Sequence, residues 1–334
     1  MSYNNLIIQS NAELLDAIVN QMVAEGWPIL AEGDGTDTGS TSANENDLAR
    51  WVVLEGPEGI PFTLWDSVGD GTSNSHNEAN IRGFIYNEYD PTVPVFDQFV
   101  NNPRAGDFNS SDVGSATGRN NFPGGGGADA PTQLWLFTTE YYCHAVWETL
   151  PGHYHHFHFG QIEKGFDFFG GVYIGGTHIP SAFSGDTDST GHTRPFDQAR
   201  STSSLIRCYF YHGDFDGEVR RTCRTVESST FDTHRPFFNI SDNSTQYYNF
   251  IPPPHHGRAV LIPMRVMVNR HTTDRSFVQG HVRDCRVTSI QNLNPADIIT
   301  LEQDSWQVFP FSRKAPEGTA NASLNQAQAY KIIQ

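Results

Sequence analysis

Cysteine is scarce in this sequence. Its 334 residues hold four, Cys143, Cys208, Cys223 and Cys285, and none sits in a C-x-x-C pair. Neither a zinc ribbon nor a disulfide framework is expected; small buried thiols in a chain folded in a reducing compartment fit better. Basic side chains are also in deficit, 21 Lys and Arg against 38 Asp and Glu, for a formal charge of −17. Nucleic-acid phosphates are gripped by Lys and Arg, so a general nucleic-acid-binding surface is argued against and no nucleic-acid specificity is expected. No apolar run approaches the roughly 18 residues that a spanning helix needs. The opening MSYNNLIIQSN has no basic n-region like that of a secretory signal. The expectation is a protein without a membrane span, made and folded in the cytoplasm. The G-x-S-x-G elbow and the G-x-x-x-x-G-K-[ST] phosphate loop are missing too.

What is present concentrates in one stretch, Leu134 to Thr177, the densest aromatic region of the chain. Aromatic and β-branched residues suit a pleated, half-buried surface. Two or three strands are predicted there, about Gln133 to Thr138, Tyr141 to Thr149 and His153 to Ile162, with Pro151-Gly152 as a turn signal between the halves. So many large apolar side chains in one place mark it as the core.

Elsewhere, residues 10 to 26 read as one amphipathic helix. Ser10 and Glu13 match the capping box, Leu14, Leu15, Ile18, Val19, Met22 and Val23 form the stripe, and Gly26 followed by Trp27-Pro28 stops it. Trp51 to Gly56 and Ile60 to Asp66 read as a hairpin across Gly56-Pro57-Glu58-Gly59. Further strands are expected at Ile81 to Tyr89, Ser204 to Tyr211, Gly217 to Val226, Ala259 to Val268 (with Pro263 at an edge or bulge) and His281 to Ile290; Ile298 to Leu301 then leads to an apolar run from Trp306 to Pro310. Glu32 to Asn46 and Asn109 to Pro131 read as loops, and Asp34 and Asp37 lack the full ligand set of a calcium loop. The fold class is therefore mainly β, a sandwich or distorted barrel, mostly antiparallel, with one N-terminal amphipathic helix. Three segments are expected: 1–46, the helix and acidic loop; 47–313, a β-rich body with room for two subdomains; and 314–334, a C-terminal arm. The apolar end of that arm, Ala329 to Ile333, is expected to dock on a partner or on its own body, and Gln328 to Gln334 is the candidate interchain arm.

Five histidines crowd the centre: His144, His153, His155, His156 and His158. Alternate side chains of a strand share a face, so His156 and His158 point together and His153 and His155 point the other way. H-x-H on a strand is good metal geometry. With Glu163 five residues on and Gly170 beyond it, the pattern looks like the first cupin motif; the upstream glycine is misplaced and the second cupin motif is absent. The same residues also fit histidines that pack and hydrogen-bond in a core or an interface. Asp214 and Asp216 pair carboxylates in a turn-like HGDFDGE without fixing their separation. Trp65 and Trp147, if exposed, would suit a carbohydrate-binding surface.

The order of features resembles a group of large virion proteins of tailed phages, found in the tail or baseplate. The matching residues are Gly83-Phe84, Leu134-Trp135, Tyr141-Tyr142, Ala145-Val146, Tyr154, Phe159-Gly160 and Tyr173-Ile174-Gly175-Gly176, and near the end Trp306, Val308-Phe309-Pro310, Lys314 and Ala329-Tyr330. HYHHFHF departs from the apolar or mixed residues of that group, and His144, Trp147 and Glu148 stand where it often has a Val-Ala-Lys-like run. The resemblance implies a non-enzymatic virion component, assembled in the host cytoplasm, whose partners are copies of itself and other phage tail or baseplate proteins. It carries no catalytic residue, cofactor or metal. The alternative is a metal-dependent cupin-like enzyme using His156, His158 and Glu163.

Overall fold

The computed structural model describes residues 2–34, 50–66, 80–85, 88–93, 95, 124–125, 129–164, 171–177, 208–213, 219–222, 233–236, 258–270, 275–311, 313–314 and 326–333. The fold is mainly β and antiparallel, with the expected helix near the N-terminus. The segments around Asp37, Asp214 and Asp216 lie outside the described residues.

Strand β1 (Ser2–Ile7) leads into helix α1 (Asn11–Ala24). The Ser10 side chain accepts the Glu13 N–H at 3.2 Å, as a capping box requires. The Glu13 carboxylate reaches back one residue further than expected, accepting the Gln9 N–H at 2.7 Å. Leu14, Leu15, Ile18, Val19 and Met22 are all buried, each worth about 1.5–3 kcal/mol of gross transfer energy. Gly26, at φ +99°, takes the left-handed turn that ends the helix.

Strands β2 (Ile29–Asp34), β3 (Arg50–Glu55), β4 (Pro61–Asp66), β5 (Ile81–Ile85) and β6 (Gly124–Gly125) follow as a small sheet in that order. Side chains alternate as a pleat demands. Val52, Leu54, Phe62, Leu64, Ile81 and Ile85 join the main core with α1, while Trp51, Val53, Trp65 and Phe84 form a second cluster with Val95.

The larger sheet takes β1 together with β7 (Gln133–Thr139), β8 (Tyr142–Glu148), β9 (Tyr154–Lys164), β10 (Val172–Gly176), β11 (Cys208–Gly213), β12 (Val219–Thr222), β13 (Thr233–Pro236), β14 (Ile262–Arg270), β15 (Arg275–Ser289), β16 (Ile298–Leu301), β17 (Asp304–Pro310) and β18 (Gln326–Ile332). Its main path runs β1-β7-β8-β9-β15-β18-β17-β16. The path curls as a half-barrel, so that its far end faces its beginning. Trp135 of β7 meets Phe309 of β17 at 5.0 Å between ring centroids, and Phe137 meets Tyr330 of β18 at 5.1 Å. The outer face of β7–β9 packs on α1 and the small sheet, where Phe159 meets Trp27 and Phe62 at 5.6 and 5.8 Å.

The C-terminal segment docks on its own body. As β18 it lies between β15 and β17, paired with both, and Gln328, Ala329 and Tyr330 are buried; it is a central strand rather than an interchain arm. Strands β1, β2, β6, β10 and β13 were not foreseen, and β6 falls within the stretch Asn109 to Pro131 that reads as a loop. Pro263 does sit at an irregularity, a register shift between Pro263 and Arg265. Trp65 and Trp147 are both buried, so neither offers a stacking surface to a sugar.

Candidate functional site: a buried histidine–tyrosine network

Strand pairing positions the central histidines. His144 on β8 lies opposite His158 on β9, and Val146 opposite His156. The three histidines therefore share the inner face of the half-barrel, while His155, opposite Trp147, faces the other way. β8 and β9 approach closely because residue 160 is glycine. A Cβ there would stand 2.5 Å from the Tyr141 carbonyl oxygen and from the Tyr142 Cα.

Two backbone carbonyls set the tautomers. His144 Nε2 is 2.8 Å from the Arg283 carbonyl, and His156 Nε2 is 2.8 Å from the Pro310 carbonyl. A carbonyl only accepts, so in each neutral ring Nε2 carries the proton and Nδ1 the lone pair. His156 Nδ1 then faces the Tyr330 hydroxyl as an acceptor at 2.7 Å. His158 Nδ1 donates to His144 Nδ1 at 3.3 Å, which leaves His158 Nε2 facing the Tyr330 oxygen, also at 3.3 Å. Tyr330 also donates towards Gln328 Oε1, so three acceptors, His156 Nδ1, His158 Nε2 and Gln328 Oε1, surround its one proton. The result is a chain of polar groups from the β15 backbone through His144, His158, Tyr330 and His156 to the β17 backbone.

Enclosure keeps the rings neutral. His144, His156 and His158 have no exposed surface. Burial holds His144 down to about 4 and His156 to about 3, and it lowers His158 well below the ordinary imidazole value, with the neighbouring His144 and His156 acting in the same direction. Burial likewise raises the Tyr142 hydroxyl, reinforced by Asp284, whose carboxylate accepts its proton at 2.9 Å. Tyr142 stacks on His144 at 4.5 Å, Tyr173 lies 6.4 Å beyond, and Cys285 pairs across from Tyr330.

The structure thus brings His156 and His158 together and adds His144 to them, but Glu163 does not join. Glu163 is exposed, lies opposite His281 of β15, and lines a cleft of about 430 Å³ with Lys164, Arg286, Asp304 and Lys331. Among the described residues, no three His, Cys, Asp or Glu side chains converge as metal ligands would. The members absent from the sequence reading are Tyr330 and Gln328. They stand some 170 residues from the histidines they meet, and no local signal marks them. What the arrangement does chemically is bond three parts of one sheet, β8–β9, β15 and β17–β18, through side chains across its interior.

No protein-family model matches the sequence, and no curated protein matches it. No described helix is long and apolar enough to cross a membrane.

Proposed function

We propose that this chain is a structural component of a tailed-phage virion, part of the tail or baseplate, acting through symmetric contacts between subunits. The observation that carries the reading is the state of the histidine centre. Its ring nitrogens meet backbone carbonyls, a tyrosine hydroxyl and one another inside a closed core. The most chemically suggestive residues of the sequence thereby serve architecture. Most residues of the phage resemblance have the same character: Leu134, Trp135, Ala145, Val146, Phe159, Tyr173, Val308, Phe309, Ala329 and Tyr330 are buried packing positions, while Tyr141 is exposed. They specify a shape, as a protein that works by assembly requires.

Antibody labelling of intact particles is the direct test. Gold on the tail or its tip is the expected result; labelling confined to host lysate would sink the reading. Metal analysis of purified, untagged protein separates it from the cupin-like alternative. About one equivalent of Fe, Mn, Ni or Zn per chain, lost in His156→Ala, would favour the enzyme instead.

A further inference from the structure

A sheet that stops must end on strands whose outer N–H and C=O groups have no ladder partner, and natural proteins protect such edges with charge, proline or brevity. Among the described residues, the strands paired on one side only are β1, β2, β6, β12, β13 and β16. Most carry the usual protection. β2 (ILAEGD) has Glu32 and Asp34, β12 (VRRT) has Arg220 and Arg221, β13 (THRP) has Arg235 and Pro236, and β6 is two glycines long. β1 (SYNNLI) and β16 (IITL) contain no charged residue and no proline. They also present apolar side chains to solvent: Ile7 is 84% exposed and Ile298 59%, with Leu6 and Leu301 at 38% each. These two strands are the opposite ends of the main path of the large sheet.

We infer that β1 of one copy of this chain pairs edge to edge with β16 of the next, continuing the large sheet head to tail between subunits. This names the contact that the structural reading above leaves open, and it rests on that reading for its biological setting alone. Charge argues for the head-to-tail arrangement over a two-fold one. In the antiparallel register that would pair all four residues of β16 with themselves, Ile298 faces Leu301, and Asp297 then faces Glu302. Like charges directly opposite destabilise a strand pair. β1 brings no charge to that edge, and joining β1 to β16 covers both unprotected strands with one interface. A head-to-tail contact of this kind closes into a ring or extends as a filament.

The test uses the full chain with Ile7→Lys and Ile298→Lys, both at exposed positions, with circular dichroism melts confirming that each variant folds. In sedimentation velocity the parent is expected to run as a species larger than a monomer and each variant as a monomer. An equimolar mixture of the two has one intact β1 edge and one intact β16 edge left to meet, so it should give a one-to-one dimer and nothing larger. A variant that still self-associates alone would overturn the inference in favour of a two-fold edge contact. A monomeric parent would overturn it as well; if the β16 amides are then protected from hydrogen exchange, a segment of the same chain is the cover. Correct assembly in solution by a protein that antibodies fail to find in particles would sink the virion reading and leave this inference standing.

Discussion

Tyr330 ties the histidine network together. Its hydroxyl sits between His156 and His158 and meets Gln328, all within a closed core. Tyr330→Phe keeps the ring that stacks on Phe137 and removes only the oxygen. Buried acceptors left without a donor cost about 1–3 kcal/mol, so urea unfolding should show a loss of that size with little change in its slope. The histidines make a second prediction. Burial lowers His144 and His155 to about 4 and His156 to about 3, with His158 also well below its ordinary value. The unfolded chain takes up protons near pH 6.5 that the folded chain refuses. Stability is therefore fully present above about pH 6.5 and falls as pH drops towards 4, each such histidine adding about 1.4 kcal/mol per pH unit to the slope. Melting temperatures between pH 7.5 and 4.5 should fall steeply, and His156→Phe should flatten the dependence; a flat profile in the parent would refute the neutral, buried assignment.

At the scale of elements, the β8–β9 contact depends on Gly160. Residue 160 has φ +143°, and a Cβ there would collide with the backbone of Tyr141 and Tyr142 rather than with a yielding side chain. Gly160→Ala should cost more than about 2 kcal/mol, read as a lowered denaturation midpoint, whereas Gly152→Ala, with nothing within 4 Å, meets only its own φ of +80°. The same region shows what a sequence discloses. The strands at 133–139, 142–148 and 154–164 were legible because dense aromatic and β-branched residues and a Pro-Gly turn agreed, and the helix because a cap, a stripe and a stop coincided. The shared face of His156 and His158 followed from the alternation of side chains along any strand. β18 was not legible as a central strand. QAQAYKI has a weak apolar pattern, and its neighbours, β15 and β17, are chosen by tertiary packing. β1 was hidden by its asparagines, and β2 by a Glu-Gly-Asp end that reads as loop. Tyr330 as the partner of His156 lay beyond any local rule, since only the curl of the sheet brings the two together.

Across the whole molecule, one buried side chain joins three parts. Asn80 accepts the Trp147 indole N–H at 2.9 Å and donates to the Asn11 side chain at 2.8 Å and the Asp129 carbonyl at 2.9 Å. It thereby connects the large sheet, the start of α1 and the approach to β5. Asn80→Ala strands these partners and should cost about 1–3 kcal/mol. Hydrogen exchange should locate the effect: faster exchange in β4 and β5, with β17 and β18 retaining their protection. Uniform acceleration would mean that Asn80 supports the global fold rather than a joint.

The position of β18 has a consequence for biosynthesis. β15 and β17 each need β18 to complete their pairing, and β17 is complete before β18 exists. Without residues 326–332, β15 and β17 each lack a neighbour and the histidines lack Tyr330, so the sheet cannot be completed before this late-translated strand arrives. The chain's commitment to its fold is thus timed by the arrival of a single late strand.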